Sequence, residues 1–298
     1  MSNLDKVKIA DLPLKTWIAM TPYAQLPTHK PEEYLRIVGL SQEDFLHLNR
    51  KLADYLDEQK ALKPLTRRGR KDSKLALEDR LLLTLYYLRH YPTLINLAAV
   101  FGISESYCHK VYARTARLLA KVEKLPNRKV LLEDPAATLA IDVSEQPIER
   151  PVKNQKAYYS GKKKRHTVKA QLVICLLTLA ILSVVVGKGQ QHDFSVFKDS
   201  RLLLHPSALL LADSGYQGIH KHHQNSTLPV KKKKGQPLSA ENKADNKALS
   251  KQRVFIEHIN RRCKIFRIVK DVYRGKHKHY SLTWNLVAAL VNLRYSCI

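Results

Sequence analysis

Acidic residues are scarce in this chain: 26 Asp and Glu stand against 52 Lys and Arg, for a formal net charge of +26. So one-sided a balance is not that of a mixed-sign solubilising surface. It draws polyanions from a distance and releases their counterions on docking. Cysteine is sparse as well. Cys108, Cys175, Cys263 and Cys297 are widely spaced with no C-x-x-C pair, so neither a zinc site nor a disulfide framework can be read from them. Cys175 and Cys263 lie among apolar residues, as core thiols of a reducing compartment do. The apolar run 171–186 falls short of the roughly twenty residues that a membrane helix needs. Rich in β-branched residues, it reads as two buried strands with a tight turn near Thr178, although no Gly or Asn marks that turn. The opening Met1-Ser-Asn-Leu-Asp-Lys6 carries no signal-peptide pattern. Together these features lead us to expect a cytoplasmic protein without a membrane segment.

What is present is a globular chain of 298 residues, 44% of them apolar, enough for one large or two modest domains. Its cations cluster at 67–71, at Lys162, Lys163, Lys164 and Arg165, and at 231–234. With the net charge, these runs indicate nucleic-acid binding.

The first part of the chain has helical periodicity. Ser41 and Asp44 resemble an N-terminal capping box, and Phe45, Leu48, Leu52 and Tyr55 recur at helical spacing. After a basic linker over 65–74, three helices are predicted over 77–89, 93–101 and 104–121. Ala98, Gly102 and Val111 have the spacing of a helix-turn-helix: a small residue at the crossing, Gly in a left-handed turn, and an apolar anchor on the second helix. That second helix would present Ser104, Glu105, Ser106, His109, Lys110 and Arg114 to a major groove. An ordinary helical hairpin has the same local pattern.

A linker is expected over 126–137, and the character of the chain changes after it. Strands are predicted over 138–143, 167–177, 180–187 and 208–212, and helices over 194–204, 249–267 and 281–295. That order indicates a mixed α/β domain. The polar stretch 231–246 reads as an exposed loop. The organisation expected is a helical region over 1–128, with its helix-turn-helix at about 77–121, and an α/β domain over 135–298.

Three acids stand out against the basic background. Asp142 closes the apolar run Leu139-Ala-Ile, and Asp213 closes Leu209-Leu-Leu-Ala before Ser-Gly215-Tyr-Gln-Gly218. Glu257 lies on an amphipathic helix, where Arg253, Glu257, Arg261 and Lys264 share one face and Phe255, Ile259, Cys263 and Phe266 the other. A buried aspartate needs a cation or hydrogen-bond donors, and ligand sites of open α/β sheets lie at strand ends. Each acid also has a plainer reading, as a turn cap or as a member of an i,i+4 ion pair. Taken together they imply a two-metal site, in which oxygen ligands suit Mg2+ or Mn2+. Arg253 and Lys264 would grip flanking phosphates. His192-Asp193 suits a helix start with Asp193 as cap, and Trp284 suits the core better than a base stack.

In this combination, the strand Asp, the Ala212-Asp-Ser-Gly-Tyr-Gln-Gly218 segment and the Arg-x3-Glu-x6-Lys spacing resemble the DDE transposases of the IS5 type within the IS4/IS5 group, relatives of the Harbinger transposases. Tyr159-Ser-Gly-Lys-Lys-Lys-Arg-His-Thr-Val-Lys169 and Gly189-Gln-Gln-His-Asp193 add to the match. The resemblance implies an RNase H-like catalytic domain that cuts and joins element-end DNA with bound metal. It also implies Asp142, Asp213 and Glu257 as the triad, Arg253 and Lys264 as the accompanying cations, and double-stranded DNA held by a dimer or larger assembly. The related signature has a Tyr where this chain has Ser250, so that residue's role does not carry over. Three readings stay open: an active transposase, a catalytically silent DNA-binding regulator, and a nuclease without strand transfer.

Overall fold

The computed structural model describes residues 22–62, 74–232 and 237–295. The basic run at 67–71, Lys233, Lys234 and Cys297 lie outside the described residues. The chain divides into two compact units, Met1–Tyr87 with Pro92–Thr115 and Leu88–Tyr91 with Ala116–Ile298.

The N-terminal helices are α1 (Pro31–Val38), α2 (Gln42–Ala61), α3 (Leu77–His90), α4 (Leu94–Val100) and α5 (Glu105–Val122). Ser41 caps α2 as its spacing predicts. Its hydroxyl accepts from the Asp44 N–H at 3.0 Å and donates to the Asp44 carboxylate at 2.7 Å. Phe45, Leu48 and Leu52 are fully buried beneath it. The α4–α5 turn also follows the sequence. Thr93 caps α4, and Gly102 takes φ +59°. The Ile103 N–H then reaches Ala98 O, and the Gly102 N–H reaches Ala99 O. This pair of bonds is a Schellman ending, for which Gly in the left-handed region is the low-strain choice. Ala98 and Val111 are buried, while Ser104, Glu105, Ser106, His109, Lys110 and Arg114 are all exposed.

The second unit is built on a mixed sheet of β1 (Thr138–Pro147), β2 (Tyr159–Ser160), β3 (Arg165–Cys175), β4 (Ile181–Lys188), β5 (Leu209–Leu211) and β6 (Ser226–Thr227). Its longer helices are α6 (Asp193–Ser200), α7 (Ala240–Cys263) and α8 (Tyr280–Tyr295). The main order is β4-β3-β1-β5-β6, and β2 pairs with the start of β3. The β4–β3 and β3–β1 pairs are antiparallel, whereas β1–β5 and β5–β6 are parallel. This is the mixed central sheet expected of an RNase H-like domain, preceded by an all-α helix-turn-helix region.

The 171–186 run is indeed a hairpin. Cys175 N–H meets Ala180 O across it, and Leu179 takes φ +57°, which is why no Gly signals the turn.

Both faces of the sheet are covered. Leu139, Ile141, Leu210 and Ala212 belong to one core with Phe197 and Tyr216. By strand alternation Asp142 and Asp213 face the other way. Helix α8 packs over β4, and Asn292 clamps that strand with two 2.8 Å bonds to the Ile181 backbone. Trp284 is wholly buried, in the core position expected of it.

Several boundaries differ from those predicted. Strand β1 continues four residues past Val143, because its ladder with β3 runs on to the Pro147–Thr167 pair and tertiary bonds hold the amide nitrogen of the buried Gln146. Gln146 Nε2 donates to Ile268 O at 2.8 Å and to Asp271 O at 2.7 Å. Asp142 is therefore mid-strand, not at a strand end. Helix α7 begins at Ala240, inside the stretch expected to be a loop, with Ser239 as its cap. Its buried face uses Leu249, Ile256, Ile259 and Cys263. Phe255, assigned to that face by spacing, is 43% exposed.

Candidate active site

The parallel register of β1 and β5 positions the first two acids. Thr138 pairs with Leu209, Leu139 with Leu210, and Ala140 with Leu211. The ladder ends there; the same offset carried two residues further would set Asp142 level with Asp213, and the two are near enough for the Asp213 charge to act on Asp142. Residues level on neighbouring parallel strands point to the same face.

Asp142 is largely buried, and its carboxyl is pushed up to about 6. Burial is the main cause; Asp213 and Asp193 add to it, while the Val143 N–H and the Arg253 charge oppose it. Oδ2 of Asp142 accepts a 2.9 Å hydrogen bond from Asn260 Nδ2 of α7. Asp213 accepts from the Gly215 N–H at 2.6 Å and so caps the short 3-10 turn Ser214–Tyr216. The turn-capping role weighed for Asp213 is thus real, and it fixes the carboxylate beside the sheet. Beneath it, the buried Tyr216 hydroxyl donates to Gln171 Oε1 at 3.3 Å. Burial, then the charges of Asp142, Asp193 and Asp213, raise that hydroxyl well above its ordinary value.

Asp142, Glu257, Asn260 and Lys264 line one cleft of about 640 Å³, together with Asp193, Lys169 and the Ser160–Lys163 turn. Glu257 is exposed, and it opens onto this cleft. Lys162 and Lys163 stand on the lining with it, whereas Lys164 and Arg165 are exposed nearby and do not line it. Arg253 is half-buried, close enough for its charge to act on Asp142 and Tyr216. Arg261 corrects the spacing argument. It is exposed and lies with His258, Arg262 and Tyr295 in a different depression. Asn260 takes its place on the acid face of α7, because the docking of the helix against β1 selects the 253/257/260/264 stripe. Among the described residues, no three His, Cys, Asp or Glu side chains already stand grouped as a metal cage.

Asp193 is a fourth acid that the spacing argument placed wrongly. It is the first residue of α6, whose N-cap His192 makes no side-chain capping bond. The Asp193 carboxylate instead pairs with Lys169 Nζ at 2.8 Å. Lys169, only 9% exposed, also donates to Gln191 O at 2.5 Å. The one sequence signal for this pair was that both residues end segments carrying the resemblance.

A family described as DDE superfamily endonuclease matches residues 141–292. The helix-turn-helix of DDE superfamily endonuclease matches residues 73–123. The chain is 40% identical over 267 residues to a protein of Microchaete diplosiphon named as a transposase for insertion sequence element IS702, covering 87% of this chain and 93% of that one. It is 28% identical over 222 residues to a protein of Streptomyces albus G named as a transposase for insertion sequence element IS112, covering 72% of this chain and 80% of that one.

Proposed function

The chain belongs to the DDE superfamily endonucleases, and on that premise we propose that it is the transposase of an insertion sequence of the IS5 type, cutting and joining DNA at the element's terminal inverted repeats. The observation that carries the reading is the meeting of Asp142 and Glu257 on one cleft, with Asp213 two residues past the end of β5 and near enough for its charge to act on Asp142. A silent regulator would have no use for this concentration of negative charge in a chain of net charge +26.

DDE superfamily endonucleases are metal-dependent, and the donor set fits that requirement. Its ligands are all carboxylate oxygens, and burial of Asp142 among like charges leaves an excess that cations must balance. Asp142, Asp213 and Glu257 would hold the metal, Mg2+ or Mn2+ and two ions in the full complement. Bound there, it would supply activation of a water or 3′-hydroxyl and stabilisation of the leaving oxygen. The chain's own groups do the rest. Lys162, Lys163 and Lys264 line the cleft as phosphate contacts, and Arg253 steadies the ionised form of Asp142. Residues 1–128 read the DNA ends through α5, residues 135–298 carry out the chemistry, and synapsis of two ends calls for a dimer or larger assembly. No helix among the described residues is long and apolar enough to cross a membrane; the cytoplasm, at the nucleoid, is the proposed place of action.

The test is Mn2+-dependent nicking of end-containing DNA by Asp142→Asn, Asp213→Asn and Glu257→Gln proteins. Loss in all three with DNA binding retained supports the enzyme. Undiminished nicking by Asp213→Asn would remove the site, and nicking without joined products would leave a nuclease. Gly215 gives a subtler check. A methyl there would lie 2.8 Å from Asp213 Oδ1 and 3.4 Å from Asp193 Oδ2, so Gly215→Ala should displace the Asp213 carboxylate. A displacement near 1 Å costs on the order of 10²-fold in rate, and wild-type nicking kinetics would show that Asp213 is not used where it stands.

Recognition is tested separately. Replacing Lys110 and Arg114 together by Ala should weaken binding to specific ends by roughly 1–3 kcal/mol. Unchanged affinity at physiological salt in a mobility-shift titration would mean that α5 is not the reader.

A further inference from the structure

We propose that Asn260 is a positioning residue, whose carboxamide ties the Asp142 carboxylate to the helix that carries Glu257, so that the docking of α7 on β1 sets two of the three acids at once. The inference rests on the reading of Asp142 and Glu257 as the metal-holding acids and adds a residue to it.

Asn260 is 7% exposed and lines the cleft one helical turn beyond Glu257. Its Nδ2 donates to Asp142 Oδ2 at 2.9 Å, and its buried Oδ1 has no hydrogen-bond partner. A buried amide left half-satisfied is costly, and an apolar residue would fill the same place in the helix face without that cost. The retained bond is the one to the acid. With the Val143 N–H, it gives the Asp142 carboxylate two donors from two directions, which fixes the carboxylate plane and directs its free lone pairs. The helix itself is pinned just beyond its end. Gln146 of β1 holds the Ile268 and Asp271 carbonyls, and the Tyr273 N–H meets Pro147 O at 2.9 Å. The β1–α7 joint therefore has a backbone clamp at one end and the Asn260–Asp142 bond at the other. Partners that orient metal-holding groups in this way typically affect metal affinity or activity by roughly 10–100-fold.

The test measures Mn2+ binding to the DNA-free protein by electron paramagnetic resonance, together with nicking kinetics, for Asn260→Ala and Asn260→Leu. The second variant keeps the volume and loses the donor. Both should bind Mn2+ roughly 10–100-fold more weakly, with kcat reduced and KM for DNA unchanged, while Asn260→Ser, a shorter donor, recovers part of the loss. Wild-type Mn2+ affinity in either folded variant would overturn the proposal, as would loss of cooperative melting in both, which would make Asn260 a structural residue. Asp142→Asn and Glu257→Gln are measured alongside. If those two keep Mn2+ binding and nicking, the site reading itself fails; if they lose both while the Asn260 variants do not, only the role of Asn260 fails.

Discussion

Asp142→Asn is expected to stop strand cleavage and, at pH 8, to leave the metal-free protein more stable than wild type. The first effect follows from removing a charge that the site exists to present, and should be on the order of 10³-fold in rate. The second follows from the raised carboxyl. Folded, Asp142 titrates at about 6; unfolded, an aspartate titrates near 4. The folded protein therefore holds this proton more tightly. Its contribution to stability is complete below the unfolded value and falls away as pH climbs through about 6. Once both forms are ionised, the charge costs the folded state up to about 3 kcal/mol. Asn discards the charge and keeps one oxygen to accept from Asn260 Nδ2. Urea denaturation of both metal-free proteins at pH 4 and pH 8 checks the claim: the gap should open only at the higher pH. A variant less stable than wild type at pH 8 would show that Asp142 is not under electrostatic strain.

Lys169→Met is expected to act in the opposite direction. The 2.8 Å pair with Asp193 is mostly removed from solvent on the lysine side, and Asp193 already adds to the negative field on Asp142. Removing one partner of such a pair leaves an uncompensated charge and costs about 3 kcal/mol. Met fills a similar volume, so little of that loss would come from packing. Adding Asp193→Asn to the same chain should recover most of the stability, because the orphaned charge goes with it. The decisive measurement is the set of four denaturation midpoints at pH 8. A double variant no better than Lys169→Met alone would assign the loss to packing or to the Gln191 carbonyl contact.

Much of this architecture is legible in the residues. Ser41 with Asp44, and Gly102 between two apolar-periodic stretches, are local devices, and local devices survive in a one-dimensional reading. Asp142 and Asp213 are legible because a charge that closes an apolar run needs an explanation. What escapes is whatever tertiary bonds decide. The end of β1 is invisible to hydrophobic periodicity because Ser144 and Gln146 are polar yet buried, with the Gln146 amide nitrogen bonded to carbonyls more than 120 residues away. The first turns of α7 bury no side chain before Leu249, so no apolar stripe announces them. Residues 260 and 261 both lie within a broad stripe around Glu257. Charge favours Arg261 in a sequence reading, whereas packing against β1 selects Asn260. Asp193 looks like a cap because caps are common where a loop meets a helix, and nothing local reveals a lysine 24 residues earlier as its partner.

The matched level of Asp142 and Asp213 has a consequence for how such a chain can change over time. Because side chains alternate across a strand, lengthening 138–141 or 209–212 by a single residue would swing one aspartate through the sheet into the apolar layer beneath. Exchanges of one aliphatic residue for another in those segments should be tolerated easily, but in-frame additions or deletions of one codon should not. Insertional scanning would then find these two short stretches silent to sequence drift and lethal to changes of length.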